Sequence, residues 1–365
     1  MLRKYPFYFK STVILLGLIS FVYALSVLKD IFVPLVFSLL LALLLNPMQN
    51  WLQNKGIPKF WAIFFCLLIA LTVILSIIYF LSSQIINFSD QLPLLKHKFQ
   101  TIFLQFQHWL YDHMGLNFQK QDQLISEVKN EMKPMVAETL DTAMSTLGLV
   151  ILLPVYTALF LYYKNLILNF LFEIFAEKNS KEVGIVLQET KVAIQKYMQG
   201  LLIEALIVAA MNTIALWILG VPYAFLLGLI GAILNILPYI GGIVSTLLPM
   251  LMATATKDGF ETQLWILIAY MIIQFLDNNL LVPAVVSSKV RINALISIVV
   301  VLLGNTLWGV PGMFLSIPVI GVLKIIFDKV PELKPWGKLL GDEIPTRHMG
   351  EIWFKRNRRK KKLVS

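Results

Sequence analysis

Residues Asn235–Gly242 read NILPYIGG, and they sit inside a stretch, Leu226–Met252, that carries no charged residue. The stretch has the composition of a membrane helix, yet its middle holds an Asn, a Pro and two glycines. A proline in a helix interior removes a backbone donor and clashes with the preceding turn, at a cost of about 3 kcal/mol. Gly241 and Gly242 permit the positive φ angles that a tight reversal needs. The segment therefore predicts a broken-helix hairpin, with a tip that lines a polar path rather than lipid.

The composition supports a membrane setting for that hairpin. Of 365 residues, 58% are hydrophobic and 14% charged, with a mean hydropathy of +0.76. A soluble domain carries about 25% charged residues, and no soluble core hides this much apolar surface. The reading is an all-α polytopic transmembrane helical protein with about eight spans, near 11–28, 31–45, 60–81, 147–163, 200–219, 223–256, 263–282 and 293–327. The first is read as a retained span, since it is longer than a signal-peptide core and a second apolar segment follows at once. The 223–256 and 293–327 runs exceed the ~20 residues of one crossing. Each is two crossings or a hairpin that leaves by the side it entered.

Two polar inserts divide the chain. Residues 1–83 hold N-terminal spans, 84–146 form an amphipathic extracytoplasmic insert, and 147–199 combine a span with a cytoplasmic amphipathic helix. Residues 200–330 form a transport core with paired broken hairpins, and 331–365 a basic cytoplasmic tail. In the long insert Phe99, Ile102, Phe103, Phe106, Trp109 and Leu110 recur at helical spacing. Its histidines, His97, His108 and His113, offer no i,i+4 pair and no accompanying cysteine, so no metal site and no cofactor is expected. Lys55 and Lys59, Lys289 and Arg291, and the tail ending KRNRRKKK (355–362) all fall on the side of the N-terminus. The positive-inside rule makes that side the cytoplasm. The tail suits anionic lipid or topology rather than nucleic acid, for which no reading fold is present.

The opening motif recurs. NTLWGVPG at 305–312 pairs Asn305 with Asn235, Leu307 with Leu237, Val310 with Ile240 and Gly312 with Gly242, and a Ser and a Pro follow each copy. The leading span of the first unit runs outward and that of the second inward, which is the pattern of an inverted repeat. Broken helix ends expose unpaired N–H and C=O groups that bind polar solutes or ions. Asn235 and Asn305 are expected to face each other near the midplane. QFLDNNLLVP (274–283) places Gln274, Asp277 and Asn278 on one helical face, and a carboxylate in a span is a functional candidate by default. The expected solute and ion path is thus Asn235, Pro238, Tyr239, Gly241, Gly242, Gln274, Asp277, Asn278, Asn305 and Gly312. Glu204, one turn inside its span, reads as interfacial.

No phosphate-binding loop and no His-Glu-x-x-His motif occurs, so an ATP-driven pump or a metalloprotease is not the reading, and no catalytic residue is assigned. The residues point to an ion-coupled secondary transporter with H+ or Na+ as coupling ion. A cation–proton antiporter is the alternative within transport, and a membrane scaffold the alternative outside it.

Pro34 with LNP (45–47), KGIPK (55–59), YMQG (197–200), LPYIGG (237–242), QFLDNNLLVP and GMFLSIPVIGVLK (312–324) occur in this order. Together they resemble the autoinducer-2 exporter family, the PerM-like permeases, over residues 5–330. The resemblance implies a multi-pass protein of the bacterial cytoplasmic membrane, homo-oligomeric and in the described cases pentameric. It also implies transport of small solutes, with export of the autoinducer-2 signal in some members and sodium–proton antiport in others. Its Pro-Tyr-Ile-Gly and Gln-x-x-Asp-Asn motifs fall on Pro238–Gly241 and Gln274–Asn278. Leu201 and Pro311 depart from its usual residues.

Overall fold

The computed structural model of the chain describes residues 6–89, 92–114, 152–237, 241–257, 259–286 and 292–342. Every regular element among them is helical: α1 (Phe7–Val27), α2 (Lys29–Asn54), α3 (Lys59–Ser89), α4 (Leu92–Met114), α5 (Leu152–Tyr162), α6 (Lys164–Ile218), α7 (Ala224–Asn235), α8 (Gly241–Thr256) and α9 (Glu261–Leu276). A π-helix over Asp277–Val286 extends α9, and α10 (Ala294–Lys329), a 3-10 turn and α11 (Lys334–Leu340) follow. Leu and Ile side chains point outward along α1 and α3. A helix apolar on every face and still exposed has lipid as its solvent.

The turns are built by glycine. At the end of α6, Gly220 (φ +63) lets Val221 N–H reach back to Leu216 O at 2.9 Å while Gly220 N–H bonds Trp217 O at 3.0 Å. This is a Schellman closure that satisfies the last carbonyls. The chain then enters α7, which lies so close to α6 that a Cβ on Gly228 would stand 2.7 Å from Thr213 N. Small residues allow such backbone approach between membrane helices.

α6 is not one straight rod. A Cβ on Gly184 would stand 3.7 Å from the Phe172 ring, and Lys164 bonds Asn46 while Gln195 bonds Leu43 O, three residues away on α2. The helical run therefore reverses between Ile174 and Glu182, leaving arms Lys164–Ile174 and Glu182–Ile218. α5 meets the first arm at a 63° bend. The expected span 200–219 is the end of the longer second arm.

Two helical hairpins follow. α7 and α8, 12 and 16 residues, are about 18 and 24 Å long against a hydrocarbon core of ~30 Å. They pack between α6 and α9 around Leu216, Leu227, Met252, Ala253 and Ile266. The second hairpin is α10, whose 36 residues would pass by length as one span. Gly309 (φ +64, ψ −145) breaks it, and Ser316 Oγ donates to Val300 O at 2.9 Å. Sixteen helical residues would hold those two about 24 Å apart, so α10 folds back on itself. Where the sequence left two crossings or a hairpin open for 293–327, the structure has the hairpin.

The two hairpins open toward opposite ends of the second arm of α6. α7 follows Ile218, at that arm's C-terminus, whereas Lys329 at the close of α10 pairs with Glu189 at 2.9 Å. Asn293, just before α10, bonds Leu339 O beside that same end.

The all-α polytopic architecture holds. Each of the eight apolar segments contains helix among its described residues, but a count of eight spans is not confirmed. Among the described residues, five helices are long and apolar enough to cross a membrane, or six with the bent pair α5–α6.

Candidate functional site

The end of α7, the start of α8, α6 and the α9–π junction line a cavity of about 950 Å³. α7 ends by tightening: Leu237 N–H bonds Leu234 O at 2.9 Å, a 3-10 closure, in place of the helical partner one residue further back. That brings the side chain of Asn235 to the cavity, where Nδ2 donates to Asp277 Oδ2 at 2.9 Å. Asp277 stands where α9 widens into the π-helix. A π-type turn re-aims the side chains that follow it and is frequent at functional sites.

Asp277 is 2% exposed, and its Oδ1 has no hydrogen-bond partner among the described residues. Glu204, 7% exposed, lines the same cavity from α6. Tyr197, one helical face below Glu204, and Tyr270 on α9 complete the polar end, and the Tyr270 hydroxyl is also unpartnered. The remaining wall is mostly Leu, Ile and Met from α6, α8 and α9, joined by Thr246, Val282 and, from α10, Ile317. Chemically this is a pocket with two acids at one end of an apolar chamber. It can bind a cation, a proton or a solute that donates hydrogen bonds.

Of the residues singled out in the sequence, Asn235, Gly242, Gln274, Asp277 and Asn278 line this one cavity. Gly242 lies in the first turn of α8 against Gln274, where an added Cβ would stand 2.7 Å from Oε1. Gly241 is buried under the tip, its Cβ position 2.6 Å from Asn235 Cα. Neither glycine has the expected positive φ. They are required by close approach, because α8 has already begun there. Pro238 and Tyr239 lie outside the described residues. Asn305 is exposed on the first arm of α10, and Gly312 is buried against Gly304 in that hairpin. Asn235 therefore faces Asp277, not Asn305.

Glu204 is the residue whose setting differs most from expectation. It is buried in the cavity rather than interfacial, because its helix begins at Glu182 and not near residue 200. Tyr197, Leu201 and Glu204 recur at i, i+4 and i+7 and all line the cavity; that spacing is the signal that could have found them.

The sequence matches the family described as AI-2E family transporter over residues 12–332. Among similar proteins, YrrI of Bacillus subtilis is 24% identical over 311 residues, covering 82% of this chain and 86% of that protein. AI-2 transport protein TqsA of Escherichia coli is 23% identical over 321 residues, covering 86% and 90%. YhhT of Escherichia coli is 22% identical over 317 residues, covering 87% and 89%.

Proposed function

The chain belongs to the AI-2E family of membrane transporters, and from that premise we propose that it is an ion-coupled secondary transporter that exports a small polar solute. The solute is of the class that the name of its relative TqsA states, or a related metabolite. One observation carries the reading: a carboxylate in a cavity wall, Asp277, with one oxygen tied to a helix break and the other buried without a hydrogen-bond partner among the described residues. Membranes hold such groups where ions or solutes pass, and broken helices mark the binding sites of many secondary transporters.

In this reading Asp277 binds the coupling H+ or Na+. Asn235 and Gln274 orient the solute from the hairpin and from α9, and Gly242 keeps the tip narrow enough for Gln274 to reach it. The protein works in the bacterial inner membrane as a homo-oligomer with both termini in the cytoplasm. The presence of Glu204 and Asp277 in the wall of one cavity favours one second reading, a cation–proton antiporter in which the pair is the ion site. Purified protein in liposomes tests both. A pH or sodium gradient should drive solute flux that Asp277→Asn abolishes without loss of assembly. Wild-type protein that moves neither solute nor cation under any gradient would leave only a scaffold role.

A further inference from the structure

We propose that the cavity at the α7–α8 break takes an organic cation, a small ammonium compound with an apolar body, and admits it from the lipid-facing side of the molecule. The proposal rests on the transport reading and names the solute class of that site.

The charge of the cavity comes first. Among the described residues its lining includes Glu204 and Asp277 and no Lys, Arg or His. Two carboxyl groups in an apolar wall with no basic partner among the described residues hold protons when alone and exchange them for a cation that enters. The geometry then points at one atom. Asn235 fixes Asp277 Oδ2, while Oδ1 on the same 98%-buried side chain, which lines the cavity wall, is buried and has no partner among the described residues. The Tyr270 hydroxyl, buried and also without a partner among the described residues, adds a second oxygen to this wall, and tyrosine rings such as those of Tyr197 and Tyr270 attract ammonium groups.

Size separates an organic from a bare inorganic cation. About 950 Å³ lies at the upper end of the ~300–1,000 Å³ of pockets that hold drug-sized ligands. Most of the remaining wall is Leu201, Ile243, Leu247, Met250, Leu267 and Met271, which gives a metal ion no ligands and an apolar body good contact. The mouth follows from exposure. Ile243 and Met271 line the cavity and are also 64% and 65% exposed. The chamber thus opens between α8 and α9 on an apolar surface, where a membrane-partitioning cation is concentrated. Binding of one ammonium displaces one proton or metal cation from the pair. Export of the solute and cation–proton exchange then become one cycle.

The test uses full-length protein in lipid nanodiscs with two probes of equal shape and opposite charge, tetraphenylphosphonium and tetraphenylborate, and empty nanodiscs as blank. Saturable binding is expected for the phosphonium only. Asp277→Asn and Glu204→Gln should each weaken it at least tenfold, and Tyr270→Phe severalfold, with unchanged melting profiles. Two acid variants are used so that one remains informative if the other does not fold. Equal binding of both probes, no saturable phosphonium binding, or unchanged affinity in both acid variants would overturn the proposal. If the phosphonium does not bind while liposomes still export a neutral solute under a gradient, the cation proposal fails and the transport reading stands. If nothing is transported at all, it is the transport reading that fails.

Discussion

Asn235 and Asp277 are joined across 42 residues of sequence by a single 2.9 Å hydrogen bond, which ties the last residue of α7 to the first residue of the π-helix. The hairpin tip and the α9 junction therefore move together or break that bond. A bond to a charged group is worth about 1.5–3 kcal/mol, enough to hold one conformation and small enough for an ion or solute to compete with it.

Replacing Asn235 with Leu removes the donor and leaves Asp277 buried with neither oxygen bonded. Gradient-driven flux in liposomes is expected to fall at least tenfold. The melting temperature in detergent should fall by only a few degrees, because the hairpin still packs through Leu227 and Met252. Full flux in Asn235→Leu would show the bond to be incidental.

The two tip glycines should behave differently. A Cβ at Gly241 meets backbone, the Leu234 carbonyl and Asn235 Cα, which cannot give way, so Gly241→Ala should cost about 1–3 kcal/mol of stability. A Cβ at Gly242 meets the far end of the Gln274 side chain, which can swing aside. Gly242→Ala should therefore keep its melting temperature and lose solute affinity. Thermal melts and flux assays on the pair would separate packing from function, and equal stability losses would contradict the assignment.

The α10 hairpin makes its own prediction. Gly309→Ala forces a side chain into a positive-φ conformation (φ +64, ψ −145) open essentially to glycine alone and should cost about 1–3 kcal/mol. Ser316→Ala loses the bond to Val300 O and should cost about 1 kcal/mol. Both should raise protease sensitivity of folded protein in nanodiscs. An unchanged cleavage pattern in both would mean that the turn at Gly309 does not depend on them.

Sidedness can be read by cysteine labelling in a Cys66→Ala background, since Cys66 is the only cysteine in the chain. A cysteine at Gln121 should react with an impermeant reagent in intact cells and one at Asn357 should not. Labelling of Asn357 from outside would reverse the proposed orientation.

Much of this architecture is legible in the residues because punctuation marks it. Gly220 and Gly56, both at positive φ, close helices where the sequence changes character, and NILPYIGG breaks between Asn235 and Gly241 as its residues require. The reversal of α6 is not legible, because Phe175–Lys181 carries neither Gly nor Pro and reads as a continuing helix. The second break was displaced for another reason. Matching NTLWGVPG to NILPYIGG directs attention to Pro311 and Gly312, whereas the chain turns at Gly309. Asp277 stands out as an isolated charge among apolar residues. Glu204 does not, since its meaning depends on where its helix begins, and that start lies in a polar stretch without hydrophobic contrast.

The opposite insertion of the α7–α8 and α10 hairpins bears on the electrical behaviour of the protein. A membrane potential falls mainly across the layer that conducts least. Where water follows each hairpin to its tip from its own side, that layer is thinner than the bilayer and the field within it is steeper. A full elementary charge crossing the whole drop gains about 2.3 kcal/mol per 100 mV. A carboxylate such as Asp277 placed beside one tip would then make the exchange rate voltage-sensitive, and a cycle that trades unequal charges across that layer would carry current.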